Sequence, residues 1–507
     1  MRKPIKTSFQ YKYLRNSFLV LLIAFSFSNC STSKFSQQAK YSPNQLQNDY
    51  SLFRNILEES HPGINWYTPA DSMNYFFEWG ASQLKDSLSE PEFRKVLSYV
   101  IAKINCGHTV VKPSKKYSKY LDTARNKTFP LSMKIWQDTA TVAANLNRGD
   151  TVLKRGTIIK SINKKDINDI TDSLFQYISS DGFNENHKYQ TLSNRGGFGS
   201  LYTNIFGLSE KYYVDYTDST GKIKSGVVPV YDPAADSTLR RNMRRLPSIS
   251  KRDRKEFLKQ AVRAFRMDSA RQTAFMDLNS FGRSFGLKKF FKKSFKTIRK
   301  SNSKYLVIDV RGNGGGNVTN STLLTKFLAN SPFKIADSLY TRNRNSLYSR
   351  NIEKYFFNRL FMVLMTKKKS DGLFHFGYFE KHFFKPKRKN HFDGTVYILT
   401  GGNSFSATTL FIQTIKSQDN VIVVGEETGG GAYGNTAWLI PDVTLPNTRV
   451  RFRLPLFRLV IDKDIPKNGR GIFPDIEAGP TVNDIRRGAD FKMEKVLELI
   501  KNDRTKL

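Results

Sequence analysis

Ser406 sits where a serine could do chemistry rather than merely face water. The stretch 396–410, VYILTGGNSFSATTL, opens with a short apolar run, and Ala407, Leu410, Phe411 and Ile415 then recur at helical spacing. Thr400, Gly401, Gly402 and Asn403 make the turn between them. A strand, turn and helix of this kind set Ser406 at the first helical turn, where unpaired N–H groups and the positive end of the dipole favour a developing negative charge. Acyl transfer needs that pairing of a nucleophile with donors that hold an oxyanion. Capping of the helix by Ser404 or Ser406 is the simpler role for the same residues.

A second stretch, 305–316 (YLVIDVRGNGGG), again reads as a buried strand followed by a glycine-rich loop. Gly314, Gly315 and Gly316 allow the backbone to approach a ligand with its N–H groups exposed. A phosphate loop is excluded, because no Gly-Lys-Ser/Thr follows and no dinucleotide spacing appears.

Together these stretches resemble the C-terminal processing (tail-specific) serine peptidase family, including the core of the tricorn protease. The family's Asp-Leu-Arg-x-Asn-x-Gly-Gly segment corresponds to Asp309 through Gly315, and its Ser-Ala-Ser-Glu-like helix start to Ser406, Ala407, Thr408 and Thr409. A Gly-Glu-x-Thr-x-Gly segment after a strand matches 425–430, and Gly-x-Gly-x-x-Pro-Asp matches 469–475. The resemblance implies an α/β fold: a crotonase/ClpP-like peptidase core with an N-terminal helical region and a PDZ-like β domain. It implies Ser406 as nucleophile, and N–H groups of Gly314 or Gly315 together with Ala407 as the oxyanion hole.

The lysine that dyad enzymes of the family place after the Thr motif has no counterpart, since residues 428–433 read TGGGAY. The tricorn-like branch uses an upstream histidine instead, and the match is His108 in Asn105-Cys106-Gly107-His108-Thr109. Imidazole suits a general base because its ordinary pKa lies near working pH. The group orienting it stays open among Glu426, Glu427, Asp462, Asp464 and Asn435, with Glu426 and Asp464 carried forward. Cys106 as a cysteine nucleophile is disfavoured, because residues two apart tend to point to different places.

The elements that must position these residues follow in order. Residues 1–30 carry a basic start (Arg2, Lys3, Lys6, Lys12, Arg15), an apolar run too short to span a bilayer, and Cys30, which resembles a bacterial lipoprotein signal with Cys30 lipidated. Residues 31–45 read as a polar tether and 46–126 as a helical region ending in the histidine motif. Residues 127–230 read as the PDZ-like domain, where Lys154 and Arg155 could favour a chain-end carboxylate. Residues 231–507 make the peptidase core, with an insertion over 330–393 whose His375, His382 and His391 have no metal-ligand spacing. No metal or organic cofactor is expected.

The net charge of +38 favours anionic surfaces, and with a targeting segment and no recognition motif it is read as a solvated basic exterior that could meet a membrane, not nucleic acid. The stripe Leu287, Phe290, Phe291, Phe295 and Ile298 amid lysines reads as a core-facing helix with a solvated basic side, a membrane-surface role being the runner-up. The function implied is hydrolysis of protein or peptide substrates in the cell envelope, on the periplasmic side or at the cell surface. The rival is an inactive peptidase-fold protein that binds chain ends.

Overall fold

The structure is a computed structural model that describes residues 36, 38–218, 220–236 and 250–504. The targeting segment expected over 1–30, Cys30 included, lies outside the described residues.

The N-terminal layer contains helices α1 (Pro43–Ser60), α2 (Ala70–Ser82) and α3 (Glu90–Ala102). A capping box between Ser42 and Gln45 and a proline in the first turn start α1 inside the segment expected as a tether. Leu46, Tyr50, Phe53 and Leu57 on α1, and Phe93, Leu97 and Val100 on α3, are buried. They do not close a core of their own: the same cluster takes in Leu339, Val443, Phe452, Phe457 and Leu459. After α3 the chain passes the histidine motif and enters a short strand, β1 (Val111–Lys112).

The next unit is an antiparallel sheet of β2 (Leu131–Trp136), β3 (Thr139–Asn145), β4 (Ile158–Ile162), β5 (Lys211–Thr217) and β6 (Ile223–Pro229), in that spatial order. Helices α4 (Ile167–Phe175), α5 (Glu185–Ser193) and α6 (Gly197–Phe206) lie between β4 and β5 in the chain. Val142, Ile159, Leu174, Phe198 and Tyr212 give this unit a separate core.

Residues beyond 250 begin with α7 (Lys251–Val262), β7 (Arg263–Asp268) and β8 (Thr273–Leu278). Then come α8 (Leu287–Lys300), β9 (Tyr305–Asp309), α9 (Val318–Thr325), β10 (Ser338–Thr341), α10 (Tyr355–Met365), β11 (Lys367–Lys368) and β12 (Phe374–His375). The chain continues through β13 (Thr395–Thr400), α11 (Ala407–Ile415), β14 (Val421–Gly425), β15 (Gly434–Ala437), β16 (Asp442–Thr444), β17 (Arg451–Arg453), β18 (Phe457–Val460), β19 (Ile476–Glu477) and α12 (Phe491–Arg504).

The main sheet has the order β7-β8-β9-β13-β14-β19, parallel from β8 onward. Near-continuous apolar runs suit it because both faces are covered. Leu306, Ile308, Val396 and Ile398 face α8, α9 and α11, while Tyr305, Val307, Tyr397 and Leu399 face α12. On α8 Leu287, Phe291, Phe295 and Ile298 of the expected stripe are buried, Phe290 is half-buried at its margin, and the lysines face water.

The segment 330–393 is not a free-standing insertion, because β11, β12 and β10 join β18 and β15 in a second sheet. A small third sheet, β16-β17-β1, pairs Val111 with Phe452 and so fastens the histidine motif to the C-terminal strands.

Asp49 is a second tie across the same layer. Fully buried on α1, it accepts hydrogen bonds from the Asn447 N–H (2.9 Å) and Nδ2 (3.0 Å) and from the Thr448 N–H (2.7 Å) and hydroxyl (2.6 Å). Asp49→Asn turns one acceptor into a donor facing donors, and should lower stability by roughly 2–3 kcal/mol. A urea midpoint shifted down with an unchanged slope would be the expected reading.

Candidate active site

Strands β9, β13 and β14 end at one edge of the main sheet, where their loops interlock. The Ser404 hydroxyl donates to Val310 O (2.8 Å), Phe405 N–H to Asn313 O (3.1 Å) and Gly430 N–H to Ser404 O (3.1 Å). Ser404 is therefore a structural latch. Ser406 is not, and it does not cap α11 either: its side chain makes no capping hydrogen bond, and its backbone sits at φ 58° and ψ −122°. A non-glycine residue in that region costs about 1–3 kcal/mol, which the locked loops on either side must offset.

The glycine loop approaches Ser406 as closely as chemistry permits. A Cβ on Gly315 would lie 2.7 Å from Ser406 Cβ and 2.9 Å from the Ala407 nitrogen, and its φ of 94° also favours glycine. Ala407 contributes the first N–H of the helix, and Gly314 faces open space. Gly315 departs from the expected oxyanion role, because its N–H already donates to Asn313 Oδ1 at 2.9 Å. Of the N–H groups expected at an oxyanion hole, those of Ala407 and Gly314 do not share that commitment to Asn313.

His108 is buried beside this edge, with its ring 4.8 Å from the Phe405 ring. Gly107 makes the fit possible, since a Cβ there would meet Phe405 Cζ at 2.5 Å. Burial, then the charges of Arg453, His187 and Arg458, hold its pKa down to about 3, so the imidazole is neutral at working pH. Neither ring nitrogen makes a hydrogen bond among the described residues.

The carboxylate beside His108 is Asp181, which the sequence reading did not single out. Its Oδ1 lies 3.9 Å from His108 Nδ1. The Gly107 N–H (2.9 Å) and the Gly431 N–H (3.3 Å) donate to its two oxygens. Burial raises its pKa to about 6 against the pull of those donors and of Arg458. Asp181 lies in the loop before α5, and the same unit supplies His187, whose Nδ1 bonds Gly402 O (2.8 Å) and whose ring packs 5.0 Å from Phe405. A cavity of about 330 Å³ opens here, lined by Gly107, Val110, Tyr177 and His187.

The carboxylates expected to orient the base lie elsewhere. Glu426 pairs with buried Lys492 (2.5 Å), whose ammonium also donates to Thr400 O. Asp464 is exposed. Glu427 binds Arg470 and the Gly471 N–H, and Asn435 is buried on β15. Arg155 is committed to Ile485 O (2.6 Å), which leaves Lys154, exposed beside it, as the free cation of that pair.

Cys106 is buried with its thiol pushed up to about 11, unlike a nucleophile. Cys106, His108 and Asp181 each bring one potential ligand atom within 4.8 Å of the others. Arg458 on β18 is buried behind them, its guanidinium 3.6 Å from the Trp66 ring centroid and bonded to Thr436 Oγ1.

Residues 272–478 match the model of Peptidase family S41, in agreement with the C-terminal processing peptidase resemblance. No curated protein matches by sequence. Among solved structures, mature CPAF complexed with lactacystin aligns at 15% identity and a TM-score of 0.62, covering 90% of this chain and 98% of that one. Mature CPAF alone gives 15% and 0.60, covering 91% and 98%. A putative peptidase from Parabacteroides merdae gives 15% and 0.44, covering 91% and 97%. At these identities the likeness to CPAF is one of fold.

The two shifted groups set opposite pH slopes. Between pH 4 and 6 the unfolded His108 binds a proton that the folded one does not, so stability rises with pH. Folded Asp181 binds a proton that the unfolded chain does not, so its contribution falls with pH over the same window. Asp181→Asn removes the second slope, and relative to wild type the variant should lose roughly 1 kcal/mol per pH unit from pH 6 down to 4. Parallel pH-stability curves would show that Asp181 takes up no proton in the fold.

Proposed function

We propose that this chain, whose residues 272–478 match the model of Peptidase family S41, is a serine-type peptidase cleaving protein or peptide substrates in the bacterial envelope. The observation that carries the reading is Ser406: an uncapped, strained serine at the mouth of α11, under a loop whose backbone can come that close only because residue 315 is glycine. In this reading His108, neutral at Nε2, takes the Ser406 proton as the hydroxyl oxygen attacks the scissile carbonyl. The Ala407 and Gly314 N–H groups hold the oxyanion. His108 then protonates the leaving amine, and water activated by the same imidazole releases the acyl-enzyme.

Asp181 is a positioning residue that favours the Nδ1–H tautomer and the imidazolium formed in the transition state. Its 3.9 Å separation and the unbonded ring nitrogens leave the contacts to tighten when substrate fills the site. The same looseness favours one rival, a protein of this fold that binds chain ends without cutting them. Location in the envelope rests on the signal-like start of the chain, with Cys30 as a lipid anchor facing the periplasm or the cell surface.

Proteolysis of an unstructured protein, with and without a free C-terminal carboxylate, tests the reading. Ser406→Ala and His108→Ala should each lower cleavage by about a thousandfold or more in folded protein. Labelling by a serine-reactive phosphonate should disappear with Ser406→Ala, whereas a wild type that binds chains and neither labels nor cuts would establish the rival. kcat/KM should rise as pH passes about 6 and Asp181 ionises, and Asp181→Asn should flatten that limb.

A further inference from the structure

Helix α10 has two apolar faces and only one of them is used. Met362 is buried, and Tyr355 and Phe361 pack on the core shared with the N-terminal helices. On the outward side Phe356, Phe357, Leu360, Val363 and Leu364 fall within about a third of the helical circumference. They are between 40% and 70% exposed, and Leu347, just upstream, is 87% exposed. The contrast with α8 is direct, since its outward side is lysine.

The rim of this patch is cationic. Across 350–369 the charged residues are Arg350, Glu353, Lys354, Arg359, Lys367, Lys368 and Lys369, all exposed, and only Glu353 is acidic. Of the cations, Lys369 is paired, with Glu380. An apolar stripe of this size, bordered by cations of which Lys369 alone has an ion pair among the described residues, on a chain of net charge +38, complements a surface that is apolar within and anionic at its boundary.

We propose that α10 seats the folded domain on an anionic phospholipid surface. Its outward residues lie in plane at the level where headgroups meet acyl chains, and the rim cations contact headgroup phosphates. The inference does not depend on the peptidase reading, and its test uses no activity.

The test is the full chain with Cys30→Ser, to remove any lipid attachment, and Leu364→Cys carrying an environment-sensitive fluorophore; Cys106 is buried and stays unlabelled. With vesicles of phosphatidylglycerol and phosphatidylcholine the emission should shift to the blue and rise about twofold or more. With phosphatidylcholine alone the change should be much weaker. In vesicle sedimentation, Phe356→Ser/Phe357→Ser/Leu360→Ser should cut the bound fraction about tenfold at an unchanged melting temperature. The N-terminal apolar run, common to both proteins, cancels in that comparison. Emission that ignores anionic vesicles would overturn the proposal. So would a blue shift that grows with protein concentration in buffer alone, which would assign the patch to a second copy of the chain.

Discussion

The arrangement at the sheet edge depends on a contact that has no room for a side chain. With Gly315 lying against Ser406 and the Ala407 nitrogen, any larger residue would push the glycine loop off the mouth of α11. Asn313 holds the loop in place from both ends, its backbone oxygen accepting from Phe405 and the Thr408 hydroxyl while its side chain accepts from Gly315. The parallel register beneath, with Asp309 opposite Leu399, fixes the height at which both loops leave the sheet. The unusual backbone of Ser406 is thus imposed by neighbours rather than by its own preference.

Charge beside the site is arranged without close pairing. Arg458 is buried with its Nε and Nη2 unbonded, and its flat cation lies on the indole of Trp66 while Lys467 lies 3.9 Å from the same ring. Such a cation disfavours protonation of His108 and favours ionisation of Asp181, so one buried residue acts on two neighbours at once. Burial opposes it at Asp181 and reinforces it at His108.

The features readable from the sequence were those carried by short stretches. The strand, glycine loop and helix around Asp309–Gly316 and Ser406 are local, so apolar periodicity and turn residues suffice to place them. The buried stripe on α8 was readable for the same reason. Asp181 was not, because nothing in its own stretch marks it: it becomes a site residue only when the loop before α5 packs against Gly107 and Gly431. Glu426 and Asp464 look equivalent on paper, and the difference lies in tertiary partners, a buried lysine for one and solvent for the other. The commitment of the Gly315 N–H to a side chain two residues away was likewise invisible, as was the sharing of strands between 330–393 and the C-terminal segment.

The three groups gathered at this edge come from three separate parts of one chain, and they emerge during synthesis as His108, Asp181 and finally Ser406. The strand that fastens the histidine motif, β17, follows all of them. A chain interrupted between residues 181 and 406 therefore carries His108 and Asp181 without Ser406, and one interrupted shortly after 406 lacks the strand that pairs with the histidine motif. On the proposed mechanism, an N-terminal fragment that stops before β17 lacks either the serine or the strand that holds the histidine motif, so acyl transfer would wait for the last portion of the chain.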